Sequence, residues 1–231
     1  MSDRSARWAL YGESVVALVG ARPTNLVLPR SLHRLPGPAL IVAERFTDSP
    51  VGAFTVLSVG VPVRLGLRPA WHYFISVISS PEARRMGRAY WGFPFQTGTI
   101  SWMSEGRMTR IRWEEQELSF NAFASRKPLP FVLPVRSAQI RSDGPVVVPE
   151  WSRGIAHRSR ISISAAEQSP GAFLHGEHKG FCISGLHIRR SPARVPFGLF
   201  SSLRAPMRNP EPGVAGMGRS PASSDGPLPS H

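Results

Sequence analysis

Lysine is nearly absent from this basic chain. Of its 28 lysine and arginine residues only two are lysines, Lys127 and Lys179, which leaves 26 arginines. Lys127 precedes Pro128 and Lys179 follows His178, and both surroundings are typical of solvated loops. A lysine that acts as a nucleophile is usually desolvated in an apolar pocket. The sequence therefore offers no good candidate for a lysine nucleophile.

Cysteine and long apolar runs are also scarce. The single Cys182 has no partner for a disulfide within the chain, so we expect a small buried residue and a reducing compartment. No apolar segment approaches the roughly 18 residues that a membrane-spanning helix needs. The apolar run at residues 14–19 is short and follows Glu13, which favours a strand over a signal peptide. We expect a cytoplasmic protein with no membrane partner.

The net charge of +13 raises the question of nucleic-acid binding, because basic side chains neutralise phosphates. The arginines are scattered, however, with no run longer than the pairs Arg84-Arg85 and Arg189-Arg190. No helix-turn-helix, zinc-finger or RNA-binding motif accompanies the charge. We expect weak, salt-sensitive attraction to DNA and RNA and no specific nucleic-acid complex.

Motifs for metals and cofactors are missing as well. The segment at residues 175–178 offers two histidines and a glutamate, but no third ligand follows at a recognised spacing, so no metal site is predicted. No phosphate-binding glycine loop and no Gly-x-Ser-x-Gly elbow occur. We expect no cofactor.

Short alternating and β-branched segments separated by turn signals predict a mainly β fold of the α+β type, an antiparallel sheet or barrel with few helices. The clearest pattern, at residues 99–124, predicts a meander of three strands. The proline-rich residues 128–134 are interpreted as a hinge. Beyond residue 205 proline, glycine, serine and alanine dominate, which predicts one domain over residues 1–205 and a disordered tail over residues 206–231.

The most informative stretch is at residues 80–98. Ser80 is a good N-cap, Pro81 and Glu82 suit the first helical turn, and Gly87 can end the helix in a left-handed conformation. The pattern predicts one or two helical turns that stop at Gly87. Aromatic residues then crowd against Pro94, which predicts an irregular turn.

Here the chain resembles the acetoacetate decarboxylase-like family, whose signature is Gly-Arg, a few apolar or aromatic residues, Pro, and the lysine that forms the Schiff base. Residues 87–94 carry that pattern, and residues 49–56, 134–136 and 193–199 resemble other family segments. The likeness covers about residues 8–205. It implies a cone-like β-barrel with a central cavity and short flanking helices, a homo-oligomer, and a small organic acid or ketone as the ligand.

The departures from the family pattern concern the catalytic positions. Phe95 stands where the family has its nucleophilic lysine, and Gln96 where it has the neighbouring lysine. Val56 falls on the catalytic glutamate, and a gapless alignment puts Ile41 on the other cavity carboxylate. A β-keto acid loses carbon dioxide readily when a lysine converts its ketone into a protonated imine. Phenylalanine carries no amine, so we expect a protein without Schiff-base decarboxylase activity.

The same stretch supplies the candidate ligand-binding residues. Arg88 could hold a substrate carboxylate with two hydrogen bonds, or it could instead stabilise the Pro94 turn. The aromatic side chains could line a cavity or belong to an ordinary core, and the amide could bind a ligand carbonyl or face solvent. These candidates are Arg88, Tyr90, Trp91, Phe93, Phe95 and Gln96.

Two glutamates in apolar strands, Glu13 and Glu44, are weak catalytic candidates, because burial would raise their pKa into the range useful for acid or base chemistry. Two hypotheses remain open. The chain either binds a small organic acid or ketone without Schiff-base chemistry, or it is a divergent carbon–carbon lyase or hydrolase that acts on an oxo-acid through Arg88 and a buried glutamate.

Overall fold

A computed structural model of the chain describes residues 7–21, 23 and 26–195. Within these residues eleven strands accompany one α-helix and two short 3₁₀ helices. In chain order the elements are β1 (Trp8–Val19), β2 (Leu32–Arg34), β3 (Ala39–Asp48), β4 (Phe54–Leu65), β5 (Arg68–Ile78), α1 (Pro81–Trp91), β6 (Gln96–Thr97), β7 (Ile100–Glu105), β8 (Met108–Trp113), a 3₁₀ helix (Glu114–Gln116), β9 (Leu118–Arg141), β10 (Gly144–Ser164), a 3₁₀ helix (Ala172–Leu174) and β11 (Gly176–Arg190). The predicted mainly β fold is confirmed.

The strands form one sheet in the order β6-β5-β4-β3-β1-β11-β10-β9-β8-β7, with β2 paired to β4. The pairings from β5 round to β9 are antiparallel and extend over many residues. A single parallel pair, Trp71 with Ser137, then joins β5 to β9. We call this junction the seam, and it turns the sheet into a ring of strands. The imidazole of His72 also lies across the seam, where its Nδ1 is 2.9 Å from the carbonyl oxygen of Ala138.

Helix α1 begins where the sequence predicts and ends later. The hydroxyl of Ser80 accepts a hydrogen bond from the amide of Ala83 at 3.2 Å, as an N-cap should. The predicted stop at Gly87 is wrong, because the helix continues to Trp91 and the left-handed cap is Gly92, with φ of 71°. Gly87 serves a different purpose, since the ring of Phe95 packs directly on its Cα.

The predicted meander at residues 99–124 is confirmed as β7, β8 and the start of β9, with Gly106 in the first turn. The predicted hinge at residues 128–134 is wrong. Strand β9 runs through these residues without a break. Strand β10 pairs with it along this length, with a register shift between His157 and Ser159. Pro128 lies beside this irregularity, and all three prolines lie where β9 pairs with β10 alone among the described strands, so the other edge of β9 does not need their missing N–H groups.

The strands separate two main apolar clusters, as alternation along β3 illustrates. Val42 and Phe46 face the cluster that contains Trp91, Phe93 and Phe95. Ile41 and Ala43 face a second cluster, built largely on β1, β4, β8 and β9. Glu44 therefore projects into the first cluster, on the α1 side of the sheet. Within the described ranges no helix has the length and apolar content to cross a membrane.

Candidate ligand-binding cavity

Two adjacent chambers lie inside the ring of strands. The inner chamber, of about 40 Å³, is enclosed by the aromatic side chains of Phe46, Phe54, Trp91, Phe93 and Phe95, among others. The outer chamber, of about 270 Å³, is mostly apolar and includes Trp71, Phe131, Leu133 and Phe181. Val42, Glu44, Tyr73 and Glu150 line both chambers. Together the chambers reach the lower end of the range typical of small-molecule sites.

A buried ion pair occupies the inner chamber. Nη2 of Arg190 donates to Oε2 of Glu150 at 2.9 Å, and both side chains are more than 90% buried. The two residues are direct cross-strand neighbours on β11 and β10. Nε of Arg190 is buried and has no partner among the described residues. Because a buried N–H without a partner is costly, this group is available to a ligand that accepts a hydrogen bond.

Two aromatic rings hold the guanidinium in place. Its central carbon lies 5.2 Å from the centre of the Trp91 ring and 4.9 Å from that of Phe93. Attraction between a cation and a ring face strengthens when water is excluded. Nε1 of Trp91 in turn donates to the carbonyl oxygen of Ser191 at 3.0 Å. Arg190, the last residue of β11, thus packs against Trp91 at the end of α1 and against Phe93.

Glu44 is the third ionisable group of the site. Burial raises the pKa of Glu44 from 4.5 to about 7, the Arg190 cation opposes this effect, and the Glu150 carboxylate adds to it. The carboxyl group makes no hydrogen bond to any described residue. Burial also raises the pKa of the adjacent Tyr73 phenol, which therefore stays protonated and able to donate.

The raised pKa of Glu44 predicts a pH-dependent stability. The folded protein binds this proton more tightly than the unfolded chain, so the contribution is fully present below about pH 4.5 and is lost as the pH rises through about 7. A shift of this size corresponds to about 3 kcal/mol. Relative to the wild type, Glu44→Gln should gain stability by about that amount between pH 4 and pH 8, as measured by urea unfolding. Glu13→Gln is the matched control, and a parallel pH dependence in both variants would contradict the prediction.

Phe95 fills the position at which the family resemblance places the nucleophilic lysine. Its side chain is 94% buried and stacks on Phe93, with the ring centres 5.1 Å apart. A Cβ added at Gly87 would lie 2.4 Å from Cε2 of Phe95. The ring is thus packed against the backbone of α1 and faces the inner chamber.

The other candidates from residues 80–98 divide between the chambers and the outer surface. Trp91 and Phe93 line the inner chamber together with Phe95. Arg88 is exposed and lines a separate surface cleft, and Phe93 and Tyr73 lie between that cleft and the inner chamber. Tyr90 is half-buried and packs its ring edge against Trp91, while Gln96 is exposed. The fold therefore places Arg88 apart from Glu44 and Glu150, which line the inner chamber.

The predicted carboxylate positions are also separated. Glu13 forms an ion pair with Arg45 and lines another surface pocket, near Trp102, so it does not join Glu44. Val56 lies directly across from Glu44 on the neighbouring strand and lines the inner chamber. Ile41 projects into the second cluster, away from both chambers. A carboxylate is thus present one strand away from Val56.

Sequence reasoning missed Glu150 and Arg190. Arg190 belongs to an Arg-Arg pair that we considered only for nucleic-acid binding, although Leu186, Ile188 and Arg190 share one face of β11. That alternation places an arginine on the buried face of a strand, which is the signal that could have revealed it. Its partner Glu150 is 40 residues away in the chain, and no local pattern joins the two.

The ring of strands, with its cavity beside α1, defines an acetoacetate decarboxylase-like fold, as predicted. No protein-family profile matches the chain, and no curated protein matches it in sequence. Among solved structures it is similar to acetoacetate decarboxylase from Legionella pneumophila, with 15% identity, a TM-score of 0.62, and 83% of this chain and 88% of the other covered.

Two further solved structures show the same fold. One is the enduracididine biosynthesis enzyme MppR complexed with pyruvate, with 13% identity, a TM-score of 0.58, and 82% of this chain and 90% of the other covered. The second is an acetoacetate decarboxylase-like enzyme from Sphingomonas wittichii RW1, with 13% identity, a TM-score of 0.57, and 82% and 92% covered. At these identities the similarity establishes the fold.

Proposed function

We propose that the chain binds a small organic acid or ketone in the two chambers and performs no Schiff-base chemistry. The observation that carries the proposal is the composition of the inner chamber. Phe95, which the family resemblance aligns with the nucleophilic lysine, lines this chamber beside Glu44 and Tyr73, and Nε of Arg190 is buried there without a hydrogen-bond partner among the described residues. Polar groups that converge without partners in an apolar cavity are typical of a ligand site.

The same groups indicate how a ligand would lie. Nε of Arg190 and the hydroxyl of Tyr73 can donate to a carbonyl or carboxylate oxygen, and protonated Glu44 can do the same. The outer chamber would take the apolar part of the molecule. The pyruvate complex of MppR supports a small carbonyl compound as the class of ligand, because pyruvate is an oxo-acid.

Binding without covalent chemistry gives a direct test. We expect saturation-transfer NMR to detect binding of 4-phenylbutan-2-one or pyruvate, and Arg190→Met to weaken it about tenfold or more, since a hydrogen bond to a charged group contributes about 1.5–3 kcal/mol. Arg88→Met, which changes the surface cleft, is the matched control. Absence of binding for every carbonyl compound tried would contradict the proposal.

Borohydride treatment in the presence of acetoacetate should leave no adduct at residues 94–96, because trapping requires an imine. Phe95→Lys should restore little activity, because the second lysine and the carboxylates at Val56 and Ile41 would still be missing, and groups that act as a unit are strongly non-additive. Mass spectrometry decides the point. A stoichiometric adduct on Lys127 or Lys179, coupled to release of carbon dioxide, would show that a lysine has relocated.

A divergent lyase or hydrolase that acts on an oxo-acid is the second candidate. Glu44 supports it, because its pKa near 7 suits acid or base chemistry at neutral pH. For this candidate function Arg190, rather than Arg88, would supply the positive charge that binds the substrate, since Arg190 lies in the same chamber as Glu44. New product signals in the pyruvate samples, absent with Glu44→Gln, would favour this candidate over simple binding.

A further inference from the structure

We propose that the cavity catalyses proton exchange at the carbon next to the carbonyl of a neutral ketone, with Glu44 as the general base and Arg190 and Tyr73 as donors to the carbonyl oxygen. The inference rests on the proposed function and deepens it. Binding alone would not require Glu44, Arg190 and Tyr73 to lie together, whereas proton exchange does.

The placement of the three groups is the first argument. Glu44 and Tyr73 stand where the inner and outer chambers meet, and Arg190 lines the inner chamber beside them. An oxygen atom in the inner chamber could face both donors while the rest of the molecule extends past Glu44 into the outer chamber. The carbon next to that carbonyl would then lie at the junction, beside the carboxyl group.

The electrostatics of the cluster supply the second argument. Among the described residues, the charged or titratable groups that face Glu44 are Arg190 from β11, Glu150 from β10 and Tyr73 from β5. The neighbouring strands β1 and β4 place only the uncharged Ser14 and Val56 beside it. The guanidinium of Arg190 is already paired with Glu150. Glu44 therefore exchanges its proton near neutral pH, where a general base is most effective.

The chemical step balances without any further reactant. Ionised Glu44 takes a proton from the carbon, the electrons of the broken C–H bond form a carbon–carbon double bond, and the carbonyl π electrons move to oxygen. The N–H of Arg190 and the O–H of Tyr73 stabilise the enolate oxygen, as donors aimed at developing charge do. Reprotonation of the same carbon by Glu44, after its proton has exchanged with solvent, regenerates the ketone.

The charge of the chambers defines the substrate class. Two carboxyl groups line the outer chamber, and none of the described residues around it is basic. An anionic group there would be repelled, whereas an alkyl or aryl group would contact Trp71, Phe131 and Phe181. A neutral ketone with an apolar body fits this environment better than an organic acid with a charge at its far end.

The test follows the α-protons of 4-phenylbutan-2-one in deuterium oxide by proton NMR. With the wild-type protein we expect exchange about a hundredfold faster than in buffer, the lower part of the usual range for general base catalysis. The rate should rise with pH and level off above about 7, as Glu44 ionises. Glu44→Gln should return the rate to that of buffer, and Glu13→Gln should leave it unchanged.

Further variants and a binding measurement separate the outcomes. A Lys127→Arg/Lys179→Arg variant must keep full activity, because an amine could otherwise catalyse exchange through an imine. Wild-type exchange at the buffer rate, with binding of the ketone established by saturation transfer, would overturn this inference and leave the proposed function standing. Exchange by Glu44→Gln at the wild-type rate would overturn it equally. Failure of the ketone and of pyruvate to bind would overturn both proposals.

Discussion

Replacement of Arg190 by methionine is expected to lower the free energy of unfolding by about 3–5 kcal/mol, the usual effect of removing one partner of a buried ion pair. The change leaves Glu150 buried without its cation, beside Glu44. It also removes the guanidinium that packs on Trp91 and Phe93. Urea unfolding at pH 7.5 measures the loss.

Two variants show whether the loss comes from the unpaired charge. Arg160→Met removes one partner of an exposed pair with Glu177, whose side chains are 83% and 64% accessible, and should change stability by less than about 1 kcal/mol. The double variant Arg190→Met/Glu150→Leu should recover most of the loss, because apolar residues often replace a buried pair without penalty. A double variant no more stable than Arg190→Met would contradict this explanation.

Phe95→Ala is expected to destabilise the fold by about 3–5 kcal/mol, the usual range for a buried phenylalanine cut back to alanine. The ring packs on Gly87 of α1 and on Phe93, and the smaller side chain would leave both contacts empty. Thermal or urea unfolding measures the effect. Phe123→Ala, at a site with 50% exposure, should change stability by much less. Equal losses in the two variants would show that Phe95 is not part of the packed core.

Much of the fold was predictable because its signals are local. The N-cap residue Ser80 indicates the start of the helix, and the alternation at residues 99–124 indicates the three strands of the meander. The errors arise where tertiary packing overrides local preference. Gly87 looked like a helix stop because glycine tolerates left-handed conformations, yet it is required for the close approach of Phe95.

The site was predictable only in part. Trp91, Phe93 and Phe95 line the inner chamber, and the half-buried Glu44 lines it beside them. Arg88 shares their sequence segment but points to the other side of α1, since a helix presents successive residues to different faces. Arg190 reaches the cavity from a strand about 100 residues further along the chain. The alternation along β11 indicates that Arg190 is buried, but a single sequence does not indicate which residues it contacts at that separation.

The seam between β5 and β9 has a consequence for access to the cavity. Trp71 forms the single backbone pair of the seam, with Ser137, and it also lines the outer chamber. Local opening takes least free energy where the fewest hydrogen bonds must break. The seam, held by this pair and by the contact between His72 and Ala138, is therefore the place where the ring beside the outer chamber needs the fewest backbone hydrogen bonds broken to open.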